Sequence, residues 1–289
     1  MWRWSVRPPR SDASVARILR LAGWIAVACP LLIGVFVGLQ AWPALQATGG
    51  LPFLADPNWA PTSDRFNVLP MVAGTVASSA GALLLAGPVA LAYGLHVNLF
   101  AGARIAEVSR TAMGVLAGIP SVVFGLFALT VIVPGLVDKH PPGLGLGVTV
   151  LTLAVMVLPT AAVGVDAAVQ QVDRQAILAV RALGLGAWDA VRAVVLPSAM
   201  PGIRTAMVLG LGRAVGETMA VLMVAGNTVA WPTGPFASFR TLTGNIAVEM
   251  AYATGVHRSA LFVTAVILFG MVGILALWTR VPGQHGARA

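Results

Sequence analysis

The chain has 289 residues, of which 58% are hydrophobic and only 10% charged, and its mean hydropathy is +0.87. Soluble domains carry about 25% charged residues, so this composition excludes an ordinary soluble protein and predicts a polytopic membrane protein. The net charge of +8 comes mostly from arginines scattered between apolar runs, without the basic stripe of a nucleic-acid-binding surface. The single cysteine, Cys29, excludes an internal disulfide.

The N-terminal segment, residues 1–20, holds five arginines against one acidic residue, Asp12. Under the positive-inside rule this excess predicts a cytoplasmic tail. A first transmembrane span follows over Leu21–Leu39, and the Pro- and Trp-containing connection after it, up to residue 67, predicts an extracytoplasmic loop. The prolines of that connection are expected to forbid a continuous helix.

Residues 68–280 carry five further apolar runs and form the predicted core of the protein, followed by a cytoplasmic tail over 281–289. The five predicted spans are Met71–Leu95, Thr111–Val133, Leu146–Val165, Thr205–Thr228 and Ser259–Trp278. Pro120, with Ser121 after it, must kink or interrupt the third span of the chain. The two residues line a transport path or simply mark a proline kink.

The segment 166–204 is the longest polar insertion between spans. Apolar residues recur at helical spacing and predict two short amphipathic helices, about 174–183 and 187–195, separated at Gly184 and closed by Leu196 and Pro197. Such a helical hairpin at the membrane surface suits docking to another protein.

The distribution of basic residues tests this topology. With the hairpin inside, 13 of the 18 basic residues fall in cytoplasmic segments, 4 in extracytoplasmic ones and one, Arg213, within a span. Six spans with both termini in the cytoplasm therefore follow from hydropathy and charge. The predicted fold class is an all-α membrane protein with six transmembrane helices.

Arg213 and Glu217 lie near the middle of the predicted span Thr205–Thr228. A charged group at the centre of a membrane helix costs about 2.5–3.5 kcal/mol on insertion scales, so such residues face protein or a water-filled path. Four residues apart on one helix, the two side chains can pair. One interpretation is that the two residues form a purely structural pair. The other is that Arg213 binds an anionic solute, and that Glu217 holds Arg213 in place or exchanges it with the solute as the solute passes.

Sequence patterns for enzymatic chemistry are missing. The four histidines fall at span ends or in loops, no HExxH motif occurs, and no His/Cys/Asp/Glu cluster has metal-ligand spacing. There is no GxxxxGK[ST] motif, so ATP and Mg²⁺ are expected on a partner subunit and no cofactor on this chain. The sequence predicts a transport subunit without enzymatic activity of its own.

Two sets of motifs resemble known families. The stretch 178–202 resembles the EAA loop of ABC importer permeases, which implies a type I importer permease fold. The resemblance also implies ATPase coupling through the loop residues Ala179, Ala182, Gly184, Leu196 and Pro197. Leu178 stands where that family has its glutamate, so a salt bridge of that residue cannot be carried over.

The stretches R-A-V-G-E-T-M-A-V-L-M-V-A-G-N at 213–227, A-G-I-P-S-V-V-F-G-L-F-A-L at 117–129 and N-V-L-P-M-V-A-G-T at 67–75 resemble phosphate ABC transporter permeases of the PstC type. The resemblance implies a multi-pass subunit of the bacterial inner membrane. It also implies phosphate passage along Arg213 and Glu217. The implied partners are a PstA-type permease, two ATPase subunits, an extracytoplasmic phosphate-binding protein and membrane lipids. No nucleic-acid partner is implied.

Two alternatives stay open at this point. The first is a permease for another oxyanion, such as molybdate, sulfate or phosphonate. The second is a membrane sensor or scaffold that passes phosphate status to a signalling partner without transporting it.

Overall fold

The structure is a computed structural model that describes residues 10–279, so residues 1–9 and 281–289 of the predicted tails lie outside the described residues. Its helices are α1 (Arg10–Thr48), α2 (Pro52–Ala55), α3 (Leu69–Leu99), α4 (Ala103–Gly118), α5 (Ser121–Phe127), α6 (Pro134–Val137), α7 (Leu146–Gln170), α8 (Arg174–Ala182), α9 (Ala187–Ala190), α10 (Leu196–Val215), α11 (Met219–Val224), α12 (Leu242–Glu249) and α13 (Gly255–Trp278). Two short strands, β1 (Trp59–Ala60) and β2 (Arg65–Phe66), form an antiparallel hairpin.

Five of these helical segments are long and apolar enough to cross a membrane. They are Ser14–Thr48 of α1, then α3, α7, the stretch Ala187–Val215 and α13. A sixth span is possible if α4 and Ser121–Ile132, which meet at an angle of 91°, count as one. The predicted all-α, six-span fold is therefore confirmed, with the third span broken at Ile119 and Pro120.

The centre of the fold is the packing of α3, α7 and α10 through small residues. A Cβ atom added at Gly94 of α3 would lie 2.5 Å from Val165 Cγ1 of α7, and one added at Gly164 would lie 2.6 Å from Ala206 Cβ of α10. Helices in a bilayer associate through such close backbone approach because lipid supplies no hydrophobic driving force between them. The three helices form the frame that carries the site described below.

Helix α1 lies at the periphery and packs on α13. Gly34 faces the ring of Phe269, and the rings of Phe36 and Phe262 meet edge to face at 6.1 Å. The first span is longer than predicted, because α1 continues past Leu39 and through Pro43 to Thr48, although the whole connection does not form one continuous helix. Ala41 and Ala44 are buried in the same apolar cluster as Phe53, Trp59 and Phe66, and this packing offsets the hydrogen bond that proline cannot make.

The predicted boundary of the fourth span is also wrong. The helix does not end at Val165 but continues as α7 to Gln170, so Asp166 is buried in a helix and not exposed in the polar insertion. The residues after Asp166, Ala-Ala-Val, extend the apolar stripe by a turn, and Val169 is buried against the next helices.

The hairpin differs from its prediction at its second half. Leu196 and Pro197 do not close the second short helix, because α9 continues through a π-helical turn, Val191–Val195, directly into α10. The backbone N–H of Leu196 bonds to the carbonyl of Val191, five residues back. This wider turn changes the hydrogen-bond register just before Pro197, which has no N–H to donate, so the helix passes the proline without a break.

The close contact of α3 and α7 makes Gly94 sensitive to substitution. We expect Gly94→Ala to lower the unfolding free energy by about 1–3 kcal/mol, because the added methyl group overpacks the contact with Val165. Thermal unfolding of the purified chain in detergent measures the change. Gly114→Ala in α4 is the matched control, since no atom lies within 4 Å of its Cβ position and alanine favours helix by up to about 1 kcal/mol. Equal stability of the two variants would contradict this packing.

Candidate functional site

Arg213 lies in the last turn of α10, just before this helix breaks. The helix ends at Val215, Gly216 follows as its C-cap, and α11 begins at Met219. The expectation of one continuous helix over Thr205–Thr228 is therefore wrong. Glycine has low helix propensity, and Gly212 and Gly216 flank the arginine, so the local sequence weakens the helix at this point.

The Arg213 side chain is half-buried and is held by the neighbouring helix α7. Its Nη1 donates a hydrogen bond of 2.7 Å to Oγ1 of Thr160. Its Nε and Nη2 atoms make no hydrogen bond with the described residues 10–279. The guanidinium is therefore anchored at one corner, with donors left for a further acceptor.

Glu217 lies within the break and does not pair with Arg213. Ion pairs join Arg110 to Asp166 and Arg240 to Glu249, and neither involves Glu217 or Arg213. Instead, Oε1 of Glu217 accepts a hydrogen bond of 3.1 Å from the backbone N–H of Ala220, in the first turn of α11. The Glu217 carbonyl accepts another, of 2.8 Å, from Oγ1 of Thr243. The predicted pair is replaced by separate partners because the helix does not continue between the two residues.

The second helix break, at Ile119 and Pro120, separates α4 from α5. Helix α5 packs against α11, the helix that follows the break near Arg213. Helix α5 begins at Ser121 and packs on α11 so closely that a Cβ atom on Gly125 would lie 2.9 Å from the Cα atom of Ala220. Pro120 is exposed and Ser121 is half-buried. Two interrupted spans therefore adjoin, an arrangement that membranes tolerate where the broken backbone is covered by protein or lines a cavity.

The hairpin presents the other predicted site residues at the surface. Ala179, Ala182, Gly184 and Pro197 are exposed, whereas Leu196 is half-buried against the core. Gly184 has φ +79°, in the left-handed region where glycine is favoured, and this turn separates α8 from α9. Leu178, at the position of the family's glutamate, is 61% exposed. The hairpin therefore offers an open face that is apolar at this position.

A polar cluster around the buried residue Asp166 joins α3, α4 and α7 at the base of the hairpin. Asp166 accepts hydrogen bonds of 2.9 and 3.1 Å from Nε and Nη2 of Arg110, 2.7 Å from Nδ2 of Asn98 and 2.9 Å from Nε2 of Gln170. Nη2 of Arg110 also donates to Oδ1 of Asn98, at 3.0 Å. One carboxylate thus joins three helices. Its hydrogen bonds offset the cost of burying its charge.

A second buried carboxylate, Glu249 at the end of α12, lies near the opposite end of α3. Its two oxygens accept hydrogen bonds from Nε1 of Trp59 at 2.9 Å and from Nη1 of Arg240 at 2.6 Å, and Oε2 lies 2.8 Å from Nε2 of His257. These contacts join the β-hairpin, the segment before α12 and the start of α13. Glu249 therefore organises the region where several non-helical segments meet.

Sequence reasoning missed Thr160, Asp166 and Glu249. An acidic residue inside an apolar helical run is the signal that could have found Asp166, since the apolar stripe continues past it to Val169. Thr160 has no such signal, because threonines are common in membrane helices and only the fold brings this one to Arg213. Within residues 10–279 there is no group of three or more His, Cys, Asp or Glu residues that could hold a metal ion.

Comparisons with known proteins identify the family of the chain. Residues 82–280 match the family described as "Binding-protein-dependent transport system inner membrane component". The chain belongs to this family, and it is the permease component of an ABC importer, located in the inner membrane. ATP hydrolysis in such a transporter is performed by a partner subunit.

Individual relatives and solved structures support this assignment. The chain is 33% identical over 272 residues to the "Probable ABC transporter permease protein YqgH" of Bacillus subtilis, covering 91% of this chain and 88% of that protein. It is also 33% identical to the "Phosphate transport system permease protein PstC" of Mesorhizobium japonicum, covering 83% of this chain and 80% of that protein. The fold resembles a chain of the inward-facing MetNI methionine ABC transporter, with a TM-score of 0.57 at 21% identity, over 73% of this chain and 94% of that one.

The Asp166 cluster should contribute strongly to stability. We expect Asp166→Ala to lower the unfolding free energy by at least about 1.5–3 kcal/mol, because it removes charge-assisted hydrogen bonds and leaves Arg110, Asn98 and Gln170 without their acceptor. Thermal unfolding in detergent tests this expectation. Asp138→Ala is the control, since this exposed loop carboxylate makes no hydrogen bond with the described part of the chain. Similar unfolding temperatures for the two variants would show that the cluster is not a stabilising element.

Proposed function

We propose that this permease imports inorganic phosphate and that Arg213 is the residue that meets the anion on its path. The observation that carries the proposal is the placement of the Arg213 guanidinium at a helix break, anchored to Thr160 and with Nε and Nη2 unengaged by the described residues. The relatives named as phosphate permeases PstC come from several bacteria, which supports the same substrate.

The chemistry of phosphate suits an arginine at this position. Phosphate is an oxyanion with several acceptor oxygens, and a guanidinium offers it a planar fork of N–H donors that a lysine ammonium does not have. Because Thr160 holds only one nitrogen, the fork can turn its other edge to the anion without losing its anchor.

Glu217 has a different role in this proposal. Its carboxylate caps α11 and its carbonyl is held by Thr243, so it fixes the geometry of the break. As a negative charge four residues from Arg213, it also limits how tightly the passing anion is held. A transit site must release what it admits, so a site with a nearby carboxylate suits transport better than storage.

The transport cycle requires partners, and we propose the set that phosphate importers of this type use. These are a second, PstA-type permease, two ATPase subunits and an extracytoplasmic phosphate-binding protein. The hairpin of this chain would dock on an ATPase subunit through Ala179, Ala182 and Gly184. Both termini and the hairpin lie in the cytoplasm in this arrangement. Closure of the ATPase pair would then move the hairpin, which continues without a break into α10 and so towards Arg213.

Substitution of Arg213 tests the proposal. We expect Arg213→Gln to reduce phosphate uptake about 10- to 100-fold, the loss that follows from removing charge-assisted hydrogen bonds of about 1.5–3 kcal/mol. Arg213→Lys should retain only part of the rate, because lysine keeps the charge but not the fork. Uptake of labelled phosphate is measured in cells that lack other phosphate importers.

The control for this experiment is Arg204→Gln, which removes an exposed arginine from the same helix α10. It should transport at the normal rate, with membrane levels of all variants compared by immunoblot. Unlabelled phosphate should compete in the wild type, and molybdate, sulfate and phosphonate should not. Normal uptake by Arg213→Gln, or equal competition by another oxyanion, would refute phosphate passage along Arg213.

Thr160 should act as a positioning residue for Arg213. We expect Thr160→Val to raise the KM for phosphate about 2- to 10-fold, since it removes one neutral hydrogen bond of about 0.5–1.5 kcal/mol from the guanidinium. Thr160→Ser, which keeps the hydroxyl, should restore the wild-type KM. If Thr160→Val and Thr160→Ser gave the same KM, the hydroxyl would have no part in holding the arginine for its substrate.

A further inference from the structure

A cavity of about 230 Å³ lies where α3, α4, α7 and α8 meet, at the base of the hairpin. Its polar lining residues are Arg110, Arg174, Asn98 and Gln170. The remaining lining residues are apolar, and no carboxylate lines the cavity. Two arginines and no acidic residue thus line this cavity, which is separate from the break at Arg213.

The two arginines have donors left over. Nε and Nη2 of Arg110 bind Asp166 and Asn98, whereas Nη1 makes no hydrogen bond with residues 10–279. Arg174, the first residue of α8, is exposed and has no hydrogen bond or ion pair with the described residues. Two cations with unengaged N–H groups thus reach one cavity from two different helices.

The two arginines differ in their carboxylate partners. Asp166 forms a salt bridge with Arg110, 2.9 Å from its Nε, and also accepts hydrogen bonds from Asn98 and Gln170. Asp173 precedes Arg174, but its Oδ1 accepts a hydrogen bond of 2.8 Å from the backbone N–H of Gln175 and so caps α8. The charge of Arg110 is therefore balanced by Asp166, whereas Arg174 has no ion pair with the described residues.

We propose that this cavity binds a small oxyanion of the phosphate class, which bridges Arg110 of α4 to Arg174 of α8. The guanidinium of Arg174 can offer phosphate oxygens paired N–H donors, and Arg110 can offer the N–H groups of Nη1. Nε2 of Gln170 donates once, to Asp166, and has a second N–H for the anion. The ligand is either free inorganic phosphate or the phosphate of an anionic lipid headgroup, since both present the same oxygens. Bound there, the anion would join the broken third span to the hairpin and restrict their relative movement.

The site can be probed through Ile177, which lines the same cavity and is half-buried. The full chain carrying Cys29→Ser and Ile177→Cys has a single thiol, because Cys29 is the only cysteine of the sequence. The rate at which a small neutral methanethiosulfonate labels this thiol is measured in phosphatidylcholine nanodiscs, with inorganic phosphate or with chloride at equal ionic strength. At about ten times the Kd of phosphate, labelling should slow about tenfold.

Variants make the protection specific. Arg174→Gln should abolish it, whereas Arg204→Gln, the matched exposed arginine outside the cavity, should retain it. Arg213→Gln should also retain it, so the result does not depend on the proposed transport path. Slower labelling in discs with phosphatidylglycerol, without added phosphate, would assign the ligand to a lipid headgroup. Absence of protection by both phosphate and phosphatidylglycerol, or protection that survives Arg174→Gln, would overturn the proposal.

A second measurement covers the case in which Ile177→Cys does not assemble. Arg213→Gln and the double variant Arg213→Gln/Arg174→Gln are compared by equilibrium dialysis with labelled phosphate and by the amount of phosphatidylglycerol that copurifies. The first variant should bind at least one of these ligands, and the double variant should lose it. Equal binding by the two variants would overturn the site.

Discussion

Helix breaks inside a membrane depend on one constraint: each backbone group released from the helix needs another partner within the protein. The break after α10 meets this requirement in a specific way. The N–H of Ala220 is satisfied by the Glu217 carboxylate, and the Glu217 carbonyl by the Thr243 hydroxyl. Because these groups are satisfied, α10 can end at Val215, and the Arg213 guanidinium lies beside the helix break.

The need to satisfy these backbone groups also explains why other helices pack closely around the break. Gly125 brings α5 against the start of α11, and the backbone N–H of Leu242 donates to Oγ1 of Thr75, which ties the segment before α12 to α3. The interruption thus lies within a frame of close helix contacts. A charged side chain in such a frame is held in place by its neighbours rather than by a salt bridge, as the bond from Arg213 to Thr160 illustrates.

Two buried carboxylates hold the opposite ends of this frame. Asp166 ties α3, α4 and α7 beside the hairpin, and Glu249 ties the β-hairpin, the segment before α12 and the start of α13. The candidate path at Arg213 lies on the helix between these regions, since α10 continues from the hairpin and its break contacts α12 through Thr243. Movement of the hairpin can therefore reach Arg213 along one continuous helix.

The sequence by itself determined the membrane class, the number of spans, the interruption at Pro120 and the exposed hairpin, because each depends on local hydropathy, charge or the missing N–H of proline. It also identified Arg213 and Glu217 as charged residues within an apolar span, which must face protein or a water-filled path. Only the tertiary structure decided that these two residues have separate partners, that α1 passes Pro43, and that α9 runs into α10. Those outcomes depend on contacts between residues far apart in the chain, such as Arg213 with Thr160 and Ala44 with the cluster around Phe66, which periodicity and propensity along one segment do not encode.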